Sequence, residues 1–347
     1  MPFACVPNIS KNKINKAGDI LITSDPSEEI YVNAYDLATQ WRAAHAYPIN
    51  TFQSLLRKKI REGNYKGDPI VAQRLKRMPT IIDKLKRYPA MNLTTMQDIG
   101  GLRAVLNSIE DVNKLRDEYR NVQFSHKLIR EDNYILNPRD SDGYRSLHLI
   151  YKYKNIRNPD YDGLRVELQI RTKYQHLWAT AVETMGTFLG QALKSRQGNQ
   201  DWLDFFALIS SAFSYIENSP QIPKYSNLSK KETFREIIKI NKKINAFVTM
   251  SGLSTAVQFL SENKGYSYHL IVLDSLEKKV SIQSFDRDSW NEAIFAYDQV
   301  EKEAVSGNKI EPVLVSAGKI ENVRKAYPSF FLDISDFLDL VRELIIN

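Results

Sequence analysis

The 347-residue chain is too long for one ordinary domain and points to two or three. Hydrophobic residues at 43% and aromatics at 11% suffice for buried cores, no run approaches the roughly 18–20 apolar residues of a membrane span, and the single Cys5 excludes a disulfide framework or a cysteine-rich zinc site. The opening stretch MPFACVPNISKNK does not read as a secretory signal, so a cytoplasmic location is expected.

The formal net charge is +7 and the sequence pI about 9.1. The positive charge is clustered at Arg57, Lys58, Lys59 and Arg61, at Arg74, Lys76 and Arg77, and at Lys84, Lys86 and Arg87. Such clusters favour polyanions, whether nucleotide phosphates or an RNA backbone, and a solvated helix face accounts for them equally well.

Asp25-Pro26-Ser27-Glu28 starts a helix, and Ile30, Ala34, Leu37, Trp41 and Ala44 recur at helical spacing behind it. A second helix is predicted through TFQSLLRKKIREG, and PIVAQRLKRMPTIIDKLKRYP reads as helical on both sides of Pro79. LRAVLNS is a strand, and residues 109–120 form a helix capped by Ser108. FSHKLIRE and LHLIYKY are further strands, joined through the turn-rich NPRDSDGYRS. In GLRVELQIRT, residues 163–172, Leu164, Val166, Leu168 and Ile170 alternate with Arg165, Glu167, Gln169 and Arg171, a strand with one apolar and one charged face. A helix follows from Thr172, then another over DWLDFFALISSAFSYIE.

This order predicts an α+β domain: a small mixed sheet covered by helices. The polar, proline-containing NSPQIPKYSN is the candidate boundary, dividing the chain into residues 1–218 and 219–347. Beyond it, Ser229 and Glu232 form a capping box, YSYHLIVLDSLEKKVSIQSF reads as a hairpin, a helix spans about 288–305, EPVLVSAG is a short strand and DISDFLDLVRELI a last helix. That is a second, smaller α+β domain whose polar residues form no readable constellation.

Chemistry concentrates in three segments: QDIGGLRAVL with Asp98 and Arg103, SDGYRSLH with Tyr144 and His148, and the strand carrying Glu167, Gln169 and Arg171. With Asp98 and Glu167 on neighbouring strands, two carboxylates face a cleft rimmed by arginines, an arrangement that suits magnesium on a polyphosphate. Phosphoryl transfer needs little beyond such positioning and charge stabilisation. Tyr144, placed on an exposed glycine turn, offers a ring on which a base stacks. Against this stands the plain alternative of a solvated sheet face with cross-strand ion pairs.

The ordered motifs DIGGLR, GYRSLH and VELQIRT resemble the synthetase domain of the RelA/SpoT family of alarmone synthetases, and the basic QRLKRMPTIIDKLKR resembles that family's ATP-binding stretch; the resemblance covers roughly residues 30–217. It implies a diphosphotransferase that moves the β,γ-diphosphate of ATP to a ribose 3′-hydroxyl, leaving AMP. Asp98 then matches the magnesium-binding aspartate. Glu167 matches the glutamate that activates the acceptor hydroxyl and shares the metal. Arg74, Lys76, Arg77, Lys84 and Arg103 match the ATP-holding positions. Tyr144 matches the base-stacking tyrosine, with His148, Gln169 and Arg171 beside the acceptor.

No His-Asp dipeptide of the family's hydrolase half occurs, which speaks against hydrolysis. Arg130-Glu131-Asp132-Asn133 stands where bifunctional relatives carry Arg-x-Lys-Asp, so an acid replaces a lysine that meets acceptor phosphates, and this speaks against GDP or GTP. The layout, one synthetase domain followed by a domain ending in YPSFFLDISDFLDLVREL, is similar to the fused toxin-antitoxin subgroup CapRel. That likeness implies the tRNA 3′ CCA end as acceptor, a restraining C-terminal domain and release by a phage capsid protein, with no membrane partner. The subgroup's Tyr-x-x-Tyr restraint falls on Tyr327 to Phe330, where the second hydroxyl is missing. The alternatives are a (p)ppGpp synthetase using GDP or GTP, and an RNA-binding module without turnover.

Overall fold

The computed structural model describes residues 3–121, 124–188, 200–244, 246–247, 250, 266, 268–274, 279–305, 310–316 and 335–346. Tyr327 and Phe330 lie outside the described residues. The chain divides into two compact units, residues 1–132 with 147–171 and residues 133–146 with 172–347. Among the described residues no helix is long and apolar enough to cross a membrane.

The first unit is α+β. Its elements are α1 (Lys11–Ile20), α2 (Glu28–Ala44), α3 (Ala46–Glu62), β1 (Ile70–Leu75), α4 (Met78–Arg87), β2 (Gly100–Leu106), α5 (Ile109–Arg120), β3 (Lys127–Asn133), β4 (Leu147–Lys152) and β5 (Arg165–Thr172). The five strands form one sheet in the order β1-β2-β5-β4-β3, with β1–β2 and β4–β5 antiparallel. Ser108 caps α5 as expected, its Oγ accepting from the Asp111 N–H at 3.2 Å. Val166, Leu168 and Ile170 are all fully buried, so the apolar face of β5 is core.

One expectation is corrected. Residues 70–75, read as helix, are strand β1, and only the stretch from Met78 is helical. The apolar spacing there is compatible with either period, and the deciding interaction is distant in sequence: β1 pairs with β2 from Ile70↔Val105 to Leu75↔Gly100. Pro79 therefore begins α4 rather than interrupting it, at a place where a missing N–H costs nothing. Met78, Ile81, Ile82 and Leu85 form the buried stripe of α4, leaving Lys84, Lys86 and Arg87 in its last turn, where the helix dipole favours cations.

Gly100 lets the start of β2 approach α3, since a Cβ there would lie 2.9 Å from Ile49 Cγ1.

The second unit contains α6 (Lys173–Phe188), α7 (Gln200–Ile216), α8 (Lys230–Ile244), β6 (Tyr268–Asp274), β7 (Lys279–Phe285), α9 (Trp290–Val305), β8 (Ile310–Ser316) and α10 (Ser335–Ile346). The capping box forms: the Ser229 N–H donates to Glu232 Oε2 at 2.8 Å and the Glu232 N–H to Ser229 Oγ at 3.3 Å. Helix α7 is buried from Trp202 to Ser214 except at Asp204, as its largely apolar run requires. Trp178, Phe205, Phe213, Ile237, Phe337 and Val341 share one core, so α10 packs with α6 and α8 around α7. The predicted hairpin and short strand join in an antiparallel sheet, β7-β6-β8, against which α9 packs through Ala293 and Tyr297.

Candidate active site

The loop from β1 into α4 and the loop before β2 are tied together by their backbones. The Lys76 N–H donates to the Ile99 carbonyl at 2.8 Å, and the Lys76 carbonyl accepts from Arg42 Nε at 2.7 Å. Lys76 is thereby fixed beside Asp98, and its Nζ donates to Asp98 Oδ2 at 2.9 Å. Lys84, projecting from α4, donates to the other oxygen, Oδ1, at 2.9 Å. The three side chains are only 11%, 22% and 20% exposed in the order Lys76, Lys84, Asp98.

The electrostatics follow from this geometry. Burial alone would raise the Asp98 carboxyl, but the two ammonium groups outweigh it and hold the carboxyl well below the usual range. Burial, with Lys84 and Arg74 nearby, pulls Lys76 down, and Asp98 opposes that pull. Arg74 and Arg103 share one face of the β1–β2 pair, because Arg74 lies opposite Gly101 and Arg103 opposite Ala72. Arg77 occupies the N-cap position of α4.

Glu167 sits on β5, the strand next to β2. Its carboxylate is held from two sides: His148 Nδ1 lies 3.0 Å from Oε1 and Gln169 Nε2 donates to Oε2 at 2.8 Å. Arg171 Nη2 in turn donates to Gln169 Oε1 at 2.8 Å. Register explains the pairing, since His148 of β4 lies opposite Gln169 and one diagonal step from Glu167 on the same face. Burial raises the Glu167 carboxyl, yet His148 and Gln169 bring it below its ordinary value even though the charge of Asp98 acts upward on it.

Asp98, Lys76, Lys84, Arg74, Arg103, Glu167, His148 and Gln169 thus gather on the first unit. Arg171 stands behind them: it is 1% exposed and acts on the cleft through Gln169, so the expectation that it contacts an acceptor is corrected to one of positioning.

Tyr144 belongs to the second unit, and the expectation of an exposed ring is corrected too. It is 5% exposed and packs edge-on against Trp178 and Tyr134, with centroids 6.2 and 5.7 Å away. The Arg139 guanidinium covers its ring at 4.3 Å and is itself held by Asp142 at 2.7 Å. The turn goes inward because Gly143, at φ 77°, passes so close to α7 that a Cβ would meet the Ala207 Cα at 2.8 Å. Arg145 is buried as well, paired with Glu217 at 2.6 Å and donating to Ser210 Oγ at 3.1 Å and Ser219 Oγ at 2.9 Å.

Sequence reasoning gave the residue types of this site but not these pairings, nor Arg139 and Glu217. Only Glu217 left a trace. An acid just past the C-terminus of an apolar helix opposes the helix dipole and asks for a cation.

Residues 73–186 match the family model described as a region found in RelA / SpoT proteins, so the stretch from β1 into α6 is RelA/SpoT-like. The chain is 31% identical over 124 residues to the GTP pyrophosphokinase YjbM of Bacillus subtilis, covering 34% of this chain and 56% of that protein. It is 30% identical over 116 residues to the GTP pyrophosphokinase YwaC of the same organism, covering 31% and 52%. It spans about half the length of these curated relatives. Among solved structures, the small alarmone synthetase 1 of Bacillus subtilis bound to its product pppGpp is similar at 21% identity and a TM-score of 0.44, over 52% of this chain and 92% of that one.

Proposed function

We propose that the first unit is an ATP-dependent diphosphotransferase that moves the β,γ-diphosphate of ATP to a 3′-hydroxyl and releases AMP. The observation that carries this reading is a pair of carboxylates, Asp98 on the loop entering β2 and Glu167 on the neighbouring strand β5, with Lys76 and Lys84 on Asp98 and with Arg74 and Arg103 on one face of the β1–β2 pair. The lysines and arginines bind and orient the donor phosphates. Glu167, ionised and aimed by His148 and Gln169, receives the proton of the acceptor hydroxyl. Two partly buried carboxylate groups also fit magnesium, which commonly takes one or two carboxylates and completes its shell with water and substrate phosphates. Asp98 and Glu167 would be the residues that hold it. When bound, the ion neutralises charge on the donor phosphates.

For the acceptor we favour the tRNA 3′ CCA end. Supporting it are the likeness of the chain's layout to the CapRel subgroup and the acids of β3, where Glu131 and Asp132 are paired with Arg120 at 2.7 Å and Arg130 at 2.8 Å rather than offering a cation to acceptor phosphates. On this reading residues 219–347 restrain the enzyme through Tyr327 and Phe330, a phage capsid protein releases it, and the protein acts in the cytoplasm. The second reading takes GDP or GTP as acceptor and is favoured by the GTP pyrophosphokinase names of the relatives. Incubation with γ-labelled ATP and either deacylated tRNA or guanosine nucleotides separates the two: label on tRNA supports the first, and label on guanosine nucleotides alone establishes the second.

A further inference from the structure

Both oxygens of the Asp98 carboxylate are occupied by ammonium groups of the protein itself, at 2.9 Å each, in a corner where all three side chains are largely buried. A divalent cation arriving alone meets two lysines facing one carboxylate. It would have to displace both from the carboxylate they already hold, and it would add positive charge where two ammonium groups face that one carboxylate. A polyphosphate changes that balance. Its oxygens give Lys76 and Lys84 new partners, freeing the carboxylate for a cation that arrives on the same phosphates.

We infer that Lys76 and Lys84 form a lock on Asp98 that admits a divalent cation only together with a nucleoside polyphosphate, so that these two lysines set the order of metal and nucleotide binding. The inference rests on the function proposed above and adds to it a closed resting state of the metal ligand. The backbone ties of Lys76 to Ile99 and Arg42 make its half of the lock stiff, whereas Lys84 sits on the last turn of α4, 22% exposed, and is the half that opens.

Linkage requires the effect to be mutual: whatever factor the nucleotide adds to metal affinity, the metal adds to nucleotide affinity, and such couplings are typically about 5- to 150-fold. The test uses the full chain and Mn2+ as probe, followed by water-proton relaxation, with and without a non-transferable ATP analogue. Asp98→Asn protein serves as the blank for manganese held on the nucleotide or elsewhere. Nucleotide binding is measured separately by calorimetry.

The expected result is Asp98-dependent manganese binding that is tightened by the analogue at least about fivefold, the lower end of ordinary coupling. Lys84→Gln should allow manganese onto the protein without nucleotide and shrink the coupling. Thermal melting of that variant checks that it is folded. Asp98-dependent manganese binding of equal strength with and without the analogue overturns the lock and leaves the proposed function standing. Failure of the analogue to bind at all overturns both.

Discussion

His148 Nδ1 and Glu167 Oε1 lie 3.0 Å apart across the β4–β5 pair, and this contact aims the carboxylate on which the proposed proton transfer depends. Exchange of Glu167 for Gln should lower turnover by about 10²–10⁴-fold, the usual contribution of a positioned base, with ATP binding largely kept. His148→Gln should cost less, because Gln169 still holds the second oxygen. Steady-state rates and ATP titrations on both variants read this directly, and an unaffected Glu167→Gln protein would remove the assigned base.

Asp98 and Glu167 also make stability depend on acid. Both carboxyls are held below their ordinary values in the folded chain. Their contribution is therefore complete above the unfolded values of about 3.9 and 4.3 and is lost as pH falls through the lower folded ones. The urea midpoint of the wild-type protein should fall more steeply below about pH 4 than that of Asp98→Asn/Glu167→Gln protein. Parallel curves would show that the two groups do not titrate as the geometry requires.

The buried pair Arg145–Glu217 fastens the 139–146 turn to the end of α7. Removing either partner strands a charge in the core and should cost about 3–5 kcal/mol by denaturant unfolding. Arg145→Met with Glu217→Met together should recover part of that loss, because neither charge is then left alone. Additive losses would argue against a pair.

Tyr144 offers a cleaner separation of packing from recognition. Its ring is core, so Tyr144→Ala should destabilise the protein by about 3–5 kcal/mol. Arg139→Ala uncovers the ring face without emptying the core. If that face receives a base, this variant should alter acceptor KM; because it also takes a guanidinium from the buried Asp142, its melting temperature should fall as well.

Restraint by the C-terminal half is better tested by point change than by truncation. Cutting the chain after about residue 225 would strip α8 and α10 from the core they share with α7, where Ile237, Phe337, Leu338 and Val341 are buried. Loss of function there would report unfolding. Tyr327→Ala should instead increase growth inhibition, and an unchanged phenotype would count against restraint through that residue.

Local signals made much of this legible. The two-residue alternation of 163–172 foretold β5 and its polar floor, and Ser108, Ser229 and Glu232 marked helix starts that are present. What local signals missed was decided by partners far along the chain. Strand β1 exists because β2 pairs with it, and Tyr144 is buried because Trp178 lies 34 positions on and α7 further still. The Lys76–Asp98 and Lys84–Asp98 contacts join residues separated by 22 and 14 positions, a proximity that no periodicity encodes.

Diphosphate transfer is tested most directly by the stoichiometry of a single reaction: purified protein, ATP and a reactive acceptor, with nucleotide products and modified acceptor quantified together. Diphosphate transfer predicts one AMP for each acceptor that gains two phosphates, abolished together in Glu167→Gln. ADP with singly phosphorylated acceptor, or ATP bound and left intact with every acceptor offered, would contradict it.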